Sequence, residues 1–200
     1  KKGIKIFHQN VRGLLANHLH FQELLQSFKQ IDVLTLSETH ITAKATNDNM
    51  DLYFIPGYRF ICQNRKKGLC VRVAMYISDR IHWSRRKGLE REEIECIWRE
   101  VFQKNAKSIL VSTIYRPPLG SKYLSPDFSL LLEQMLLNVT ELAKETIILG
   151  DTNINYLIKE DNKDIKDIFK LYGLIQIFDK PTRISSTTKT LIDTIFTTDV

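Results

Sequence analysis

No stretch of about eighteen consecutive apolar residues occurs, so no segment reads as a membrane-spanning helix. The apolar part of Lys1–Phe7 is too short for a secretory signal. Cysteine is scarce: Cys62, Cys70 and Cys96 are the only three, and no two form a CxxC pair. An odd number of scattered cysteines points to free thiols in a reducing compartment rather than a disulfide framework. Internal repeats and low-complexity segments are also missing.

What remains is suited to one folded domain. Two hundred residues suffice for a single sizeable core. A hydrophobic share of 43% with 26% charged residues is ordinary for a globular chain. The net charge of +6 favours a polyanionic partner. Asn64-Arg65-Lys66-Lys67-Gly68 reads as a basic turn, and Trp83-Ser84-Arg85-Arg86-Lys87 as a basic loop with an aromatic beside the charges. Such a stretch is ordinarily solvated surface. Two on one small domain favour phosphate contact, centred on Lys66 and Arg86.

Periodicity orders the chain. Ile4–Phe7 reads as a first strand, leaving through His8-Gln9-Asn10-Val11-Arg12-Gly13. Asn17 caps a helix whose apolar positions are Phe21, Leu24, Leu25 and Phe28. Ile31–Leu36 is a buried strand ending at Ser37-Glu38-Thr39-His40. Residues 57–62 and 69–77 read as strands, and 94–102 with 108–115 as a strand pair. Pro117 and Pro118 stop the last of these and leave Tyr115 and Arg116 at its exit. Ser125-Pro126 starts a helix lined by Phe128, Leu131, Leu132, Met135, Leu136 and Val139. A shorter helix spans Asp164–Tyr172 and stops at Gly173, and Thr190–Phe196 is the final strand. So many consecutive strands point to two sheets packed face to face with helices outside.

The centre of the chain is Thr146–Leu149, a β-branched apolar run that reads as a buried strand. Gly150 then permits a change of direction, and Asp151 and Asn153 follow at spacing two. In an extended segment that spacing aims both side chains the same way. An ordinary Asx-rich turn is the competing reading. Other strand exits carry the same residue types: Asn10, Glu38, Tyr115 with Arg116, and Asp193. Carboxylates and amides without paired cysteines or histidines suit a hard cation such as Mg²⁺, with Mn²⁺ as the alternative. A cation so held serves phosphate chemistry.

The quoted exits, in order, are Gln9-Asn10-Val11-Arg12-Gly13-Leu14, Leu36-Ser37-Glu38-Thr39-His40, Tyr115-Arg116-Pro117-Pro118, Gly150-Asp151-Thr152-Asn153 and Leu191-Ile192-Asp193-Thr194-Ile195-Phe196. Together they resemble the endonuclease/exonuclease/phosphatase superfamily, and within it the endonuclease domain of LINE-type non-LTR retrotransposons. The resemblance covers nearly the whole chain. It implies an α+β, four-layer αββα sandwich like that of DNase I, formed by residues 1–200 as one domain. It implies Glu38 as the principal metal ligand with Asn10 beside it. Asp151 would activate water, Asn153 and Tyr115 would contact the scissile phosphate, and Asp193 would orient a histidine. Thr182 and Thr190 resemble DNA-contacting positions, and Arg12, His40 and Arg116 join Lys66 and Arg86 as candidate DNA contacts.

Two departures stand out. The family's closing Ser-Asp-His segment is missing, because the sequence ends at Val200, seven residues after Asp193. The expectation is a domain lacking its last segment, cut from a longer polyprotein that carries a reverse transcriptase. Arg72 also stands inside a strand that is glycine-rich in the family. The activity implied is a Mg²⁺-dependent nick in DNA, made in the nucleus by a monomeric domain synthesised in the cytoplasm, leaving a 3′-hydroxyl for reverse transcription. The competing expectations are a DNA-binding remnant with impaired turnover and a phosphoesterase acting on another ester.

Overall fold

Alternation along the strands decides the layering. In β7 (Ile109–Tyr115), Ile109, Val111 and Tyr115 join one apolar cluster while Leu110 and Ile114 join another. In β2 (Val33–Thr42), Val33 faces the first cluster and Leu34 and Leu36 face a third. Successive strand side chains point to opposite faces, so each sheet is covered on both sides. The result is a four-layer αββα sandwich.

The computed structural model describes residues 3–28, 30–42, 50–62 and 70–199, with Cys70 described by its backbone alone. One sheet contains β1 (Ile6–Asn10), β2, β3 (Tyr58–Cys62) and β4 (Cys70–Ser78), in the order β1-β2-β4-β3. The other contains β5 (His82–Arg85), β6 (Glu95–Phe102), β7, β8 (Thr146–Asp151), β9 (Ile175–Gln176) and β12 (Asp193–Thr197), in the order β5-β6-β7-β8-β12-β9. The pairs β1/β2 and β7/β8 are parallel and the rest antiparallel. A separate hairpin joins β10 (Arg183–Ile184) to β11 (Lys189–Thr190). Helix α1 (Leu14–Ser27) buries Leu14, Phe21 and Leu25 against the first sheet. Helices α2 (Phe128–Thr140) and α3 (Lys163–Leu171) bury Leu132, Met135, Leu136, Ile165 and Phe169 against the second. Between the sheets lie Val33, Val73, Met75 and Ile77 from one side and Ile97, Val101, Val111 and Leu149 from the other.

Local readings shift in four places. Helix α1 starts at Leu14, so Asn17 lies in its first turn and donates to the carbonyls of Val11 and Gly13, both at 3.0 Å, instead of capping. Phe28 falls past its end and is 60% exposed. Residues 82–85 form a strand rather than a basic loop, because they pair with β6 at the sheet edge. The final strand is two: Lys189–Thr190 closes the hairpin, and Asp193–Thr197 enters the sheet beside β8. The basic turn around Lys66 lies outside the described residues.

Candidate active site

Strand register lines up four ends of the six-stranded sheet. Glu95 of β6 pairs with Tyr115 of β7, Tyr115 with Asp151 of β8, and Asp151 with Asp193 of β12. Directly paired residues share a face, and here the shared face is the one turned toward the other sheet. From that other sheet Asn10 closes the gap: its Nδ2 donates to Asp151 Oδ2 at 2.8 Å. This bond ties the two sheets together at the end where their polar residues emerge.

Glu38 reaches the same end through an irregularity. Ser37 pairs with Val73 and Ile41 with Val71, so Glu38, Thr39 and His40 together face the single residue Arg72. Extra residues in one strand re-aim its side chains. Glu38 and His40 adopt φ of +53° and +52°, the left-handed region that non-glycine residues rarely enter. The distortion is pinned: Thr39 Oγ1 donates to the Val71 carbonyl at 2.7 Å, and the Gly13 amide donates to the Glu38 carbonyl at 2.8 Å.

Asp151 is fully buried, with Oδ1 accepting the Asn153 amide at 2.9 Å and Oδ2 accepting Asn10. Burial first, then the charges of Asp193 and Glu38, push its carboxyl up to about 7 against those hydrogen bonds. Asn153 sits at φ +50°, so the segment is not extended there. The Asx turn and the site coexist, since the turn places the Asn153 side chain where Nδ2 donates to the Arg116 carbonyl at 2.9 Å. Asp193 is held through its backbone, which donates to Thr182 Oγ1 at 3.1 Å. Its carboxyl is raised by burial and by Glu38, opposed by Thr182 and Arg12. Burial pushes the Tyr115 hydroxyl up to about 12, with the nearby Arg72 guanidinium opposing, so the phenol is protonated at neutral pH.

The six expected catalytic positions thus gather at one end of the sandwich. The expected DNA contacts divide. Arg12, at φ +44° and exposed, lines a cleft of about 520 Å³ with Thr182, Arg183 and Asp193. His40 is exposed on the bulge, and Thr190 is half-buried in the hairpin opposite Arg183. Arg116 corrects the sequence reading. It is 4% exposed, donates to Asn162 Oδ1 at 2.9 Å and lies over the Phe128 ring, so it is an internal strut with no face for DNA. Arg86 is partly exposed just past the edge strand β5, with its guanidinium paired to Glu100 of β6. His8 is a residue the sequence reading passed over. Its Nε2 lies 3.9 Å from Asp193 Oδ1, and its Nδ1 is 2.9 Å from Thr35 Oγ1. Burial lowers its pKa to about 4, so the imidazole is neutral at pH 7. Period two along β1 placed Ile6, His8 and Asn10 on one face, and that signal was available.

Does the site fit a divalent cation? Asp193 Oδ1 is buried with no hydrogen-bond partner, and the charge of Glu38 raises the carboxyls of both Asp151 and Asp193, with Asp193 also raising Asp151. That is an under-compensated negative cluster. Among the described residues no three His, Cys, Asp or Glu side chains converge as a closed metal cage. The set fits a hard cation that takes one or two carboxylates and fills its remaining positions with water and phosphate oxygen. It does not fit a four-ligand zinc centre.

Solved structures with this fold exist. The endonuclease domain of TRAS1, a telomere-specific non-LTR retrotransposon, superposes with a TM-score of 0.69 at 16% identity, covering 98% of this chain and 86% of that one. An endonuclease/exonuclease/phosphatase family protein from Bacteroides thetaiotaomicron superposes with a TM-score of 0.61 at 14% identity, covering 98% and 83%. The chain has the endonuclease/exonuclease/phosphatase fold. The AP endonuclease LMAP from Leishmania major shares it, with a TM-score of 0.74 at 16% identity over 97% of this chain and 78% of that one. No protein-family model and no curated protein matches the sequence. In the endonuclease/exonuclease/phosphatase fold of this chain, the polar row and the cleft lie at the same end of the sandwich.

Proposed function

We propose that the chain hydrolyses phosphodiester bonds of DNA, nicking one strand with the help of a divalent cation, Mg²⁺ or in its place Mn²⁺. The observation that carries this reading is the Asn10–Asp151 hydrogen bond, made where Asp193 pairs in register with Asp151 and the charge of Glu38 reaches it, beside a cleft walled by Arg12 and Arg183. Glu38 and the Asn10 amide oxygen would hold the cation, whose contribution when bound is to polarise the phosphoryl oxygen and offset charge on the leaving oxygen. Asp151, with its carboxyl near 7, is matched to take a proton from water at neutral pH. Tyr115 keeps its proton and can donate it as a hydrogen bond to a phosphoryl oxygen. Asn153 spends one amide hydrogen on Arg116 and has a second for the phosphate. Thr182 fixes the backbone of Asp193.

The similarity to the TRAS1 endonuclease domain supports a wider reading. The nick would leave a 3′-hydroxyl that primes reverse transcription of a non-LTR retrotransposon. The chain would then act on chromosomal DNA in the nucleus, as a monomeric domain of a polyprotein carrying a reverse transcriptase.

Nicking of supercoiled plasmid tests the reading, with Mg²⁺ and with chelator, alongside calorimetric Mg²⁺ titration of the parent and Glu38→Gln. The expected result is nicking that chelator abolishes, and a Glu38→Gln protein that binds Mg²⁺ clearly more weakly and nicks on the order of 100-fold more slowly. Undiminished nicking in chelator, or equal Mg²⁺ affinity in the variant, overturns it. Turnover of a small phosphomonoester with the plasmid left intact would point instead to a phosphatase.

A further inference from the structure

Arg72 is the one β4 residue facing the three-residue excursion of Glu38, Thr39 and His40. Its guanidinium lies over the Tyr115 ring, 5.5 Å from the centroid, and 5.9 Å from the centroid of Tyr123 on the β7–α2 connection. Tyr115 belongs to the polar row that ends at Asp151 and Asp193. Arg72 is therefore a cation inside the site, half-buried and held by two aromatic faces.

Its other contacts are few. Arg80, Arg85, Arg86 and Arg99 each bind a carboxylate, and Arg116 binds the Asn162 amide oxygen. Among the described residues Arg72 makes no hydrogen bond and no ion pair. A cation–π contact engages the face of a guanidinium and leaves its five N–H donors at the edge. Such a fork is matched to two oxygens of a phosphate, which it binds bidentately.

We propose that Arg72 is a substrate-binding residue that grips a phosphate group of the substrate on the Tyr115 side of the site. The inference rests on the phosphodiesterase reading for the identity of the substrate. The chemistry recognised is a phosphate oxyanion, whether within DNA or free. The competing role is structural: a counter-charge that steadies Glu38 and Glu95.

The test uses the whole chain in chelator, so no turnover intervenes. Binding of a DNA dodecamer duplex is followed by fluorescence anisotropy across a salt series, and binding of inorganic phosphate by ³¹P NMR titration. Arg72→Met is compared with Arg72→Lys and with Arg59→Met, which removes one charge from exposed β3 at the opposite end of the sandwich. Thermal unfolding of each variant is recorded in parallel. Arg72→Met should lose about tenfold in DNA affinity and reduce the salt slope by about one, while Arg72→Lys keeps the slope and Arg59→Met changes neither. Equal binding and slope in Arg72→Met and Arg59→Met, or a lowered unfolding temperature with unchanged binding, overturns the assignment while leaving the nuclease reading intact. If the parent binds no DNA but binds phosphate through Arg72, the assignment stands and the DNA reading fails. A parent that binds neither ends both.

Discussion

Asp151 shows what one residue contributes at two levels. Burial that suits it for proton transfer also sets a pH dependence of folding. Its carboxyl moves from an ordinary 3.8 to about 7 in the folded protein. Between those values the folded state keeps a proton that the unfolded chain has released, so its contribution to stability falls as pH rises from about 4 to about 7 and stays lost above that. Three pH units at about 1.4 kcal/mol each set a ceiling near 4 kcal/mol. Asp151→Asn cannot titrate, so urea unfolding in chelator should show the variant gaining on the parent by about 2–3 kcal/mol between pH 5 and pH 8. At pH 5 the variant should be equal or slightly weaker, because an amide there presents a donor to the Asn10 or Asn153 donor that now meets an oxygen. Nicking should vanish at every pH. A stability difference independent of pH would mean that Asp151 is ionised through the whole range.

At the scale of elements, β8 carries the site, and Gly150 explains how it can. The sequence alone presents Gly150 as a turn. In the structure it lies inside β8, and a Cβ there would stand 1.8 Å from the Ile114 carbonyl oxygen of β7. The glycine permits the close approach that brings Tyr115 and Asp151 into register. Gly150→Ala should therefore lower stability by about 2–4 kcal/mol, read as a reduced urea midpoint. It should depress nicking beyond what the stability loss accounts for, since the displaced neighbour is Asp151; nicking intact per folded molecule would show that the two strands can part without disturbing the row. The β8 strand itself was legible because a fully buried strand writes a continuous apolar run into the sequence. The exits at Tyr115 and Asp151 were legible for the same reason, each closing such a run, whereas Asp193 opens β12 and Glu38 lies within β2. The pairing of β6 through β12 that makes a row of them was not, because register depends on strands far apart in the chain. Arg116 was misread on like grounds: whether an arginine meets solvent or Asn162 is decided by a residue 46 positions away. The left-handed turns at Glu38 and His40 have no sequence signal of their own.

On the proposed nuclease reading, the whole molecule sets how DNA would be held. The net charge is +6, yet the cleft has Asp193 on its lining, with Glu38 and Asp193 close enough to Asp151 to raise its carboxyl. Phosphates must therefore be drawn by cations at the rim, of which Arg12 and Arg183 are exposed. On the remote edge Arg86 is paired with Glu100 and Arg85 with Glu90, carboxylates they share with Lys144 and Arg99. Binding held by rim cations should be steeply salt-dependent through counterion release, with a slope of about −0.9 per phosphate neutralised. Three such contacts would cost about 40-fold in affinity between 50 and 200 mM salt. Anisotropy titrations of a short duplex in chelator should show that fall for the parent, a slope smaller by about 0.9 for Arg12→Met, and no change for Arg86→Met. The contrast between the two variants decides the matter. Each removes one positive charge, so equal effects would mean that DNA senses only the net charge and drifts over the surface. An effect confined to Arg12 would place the duplex backbone across the mouth of the cleft, where a phosphate can reach the row of Tyr115, Asp151 and Asp193.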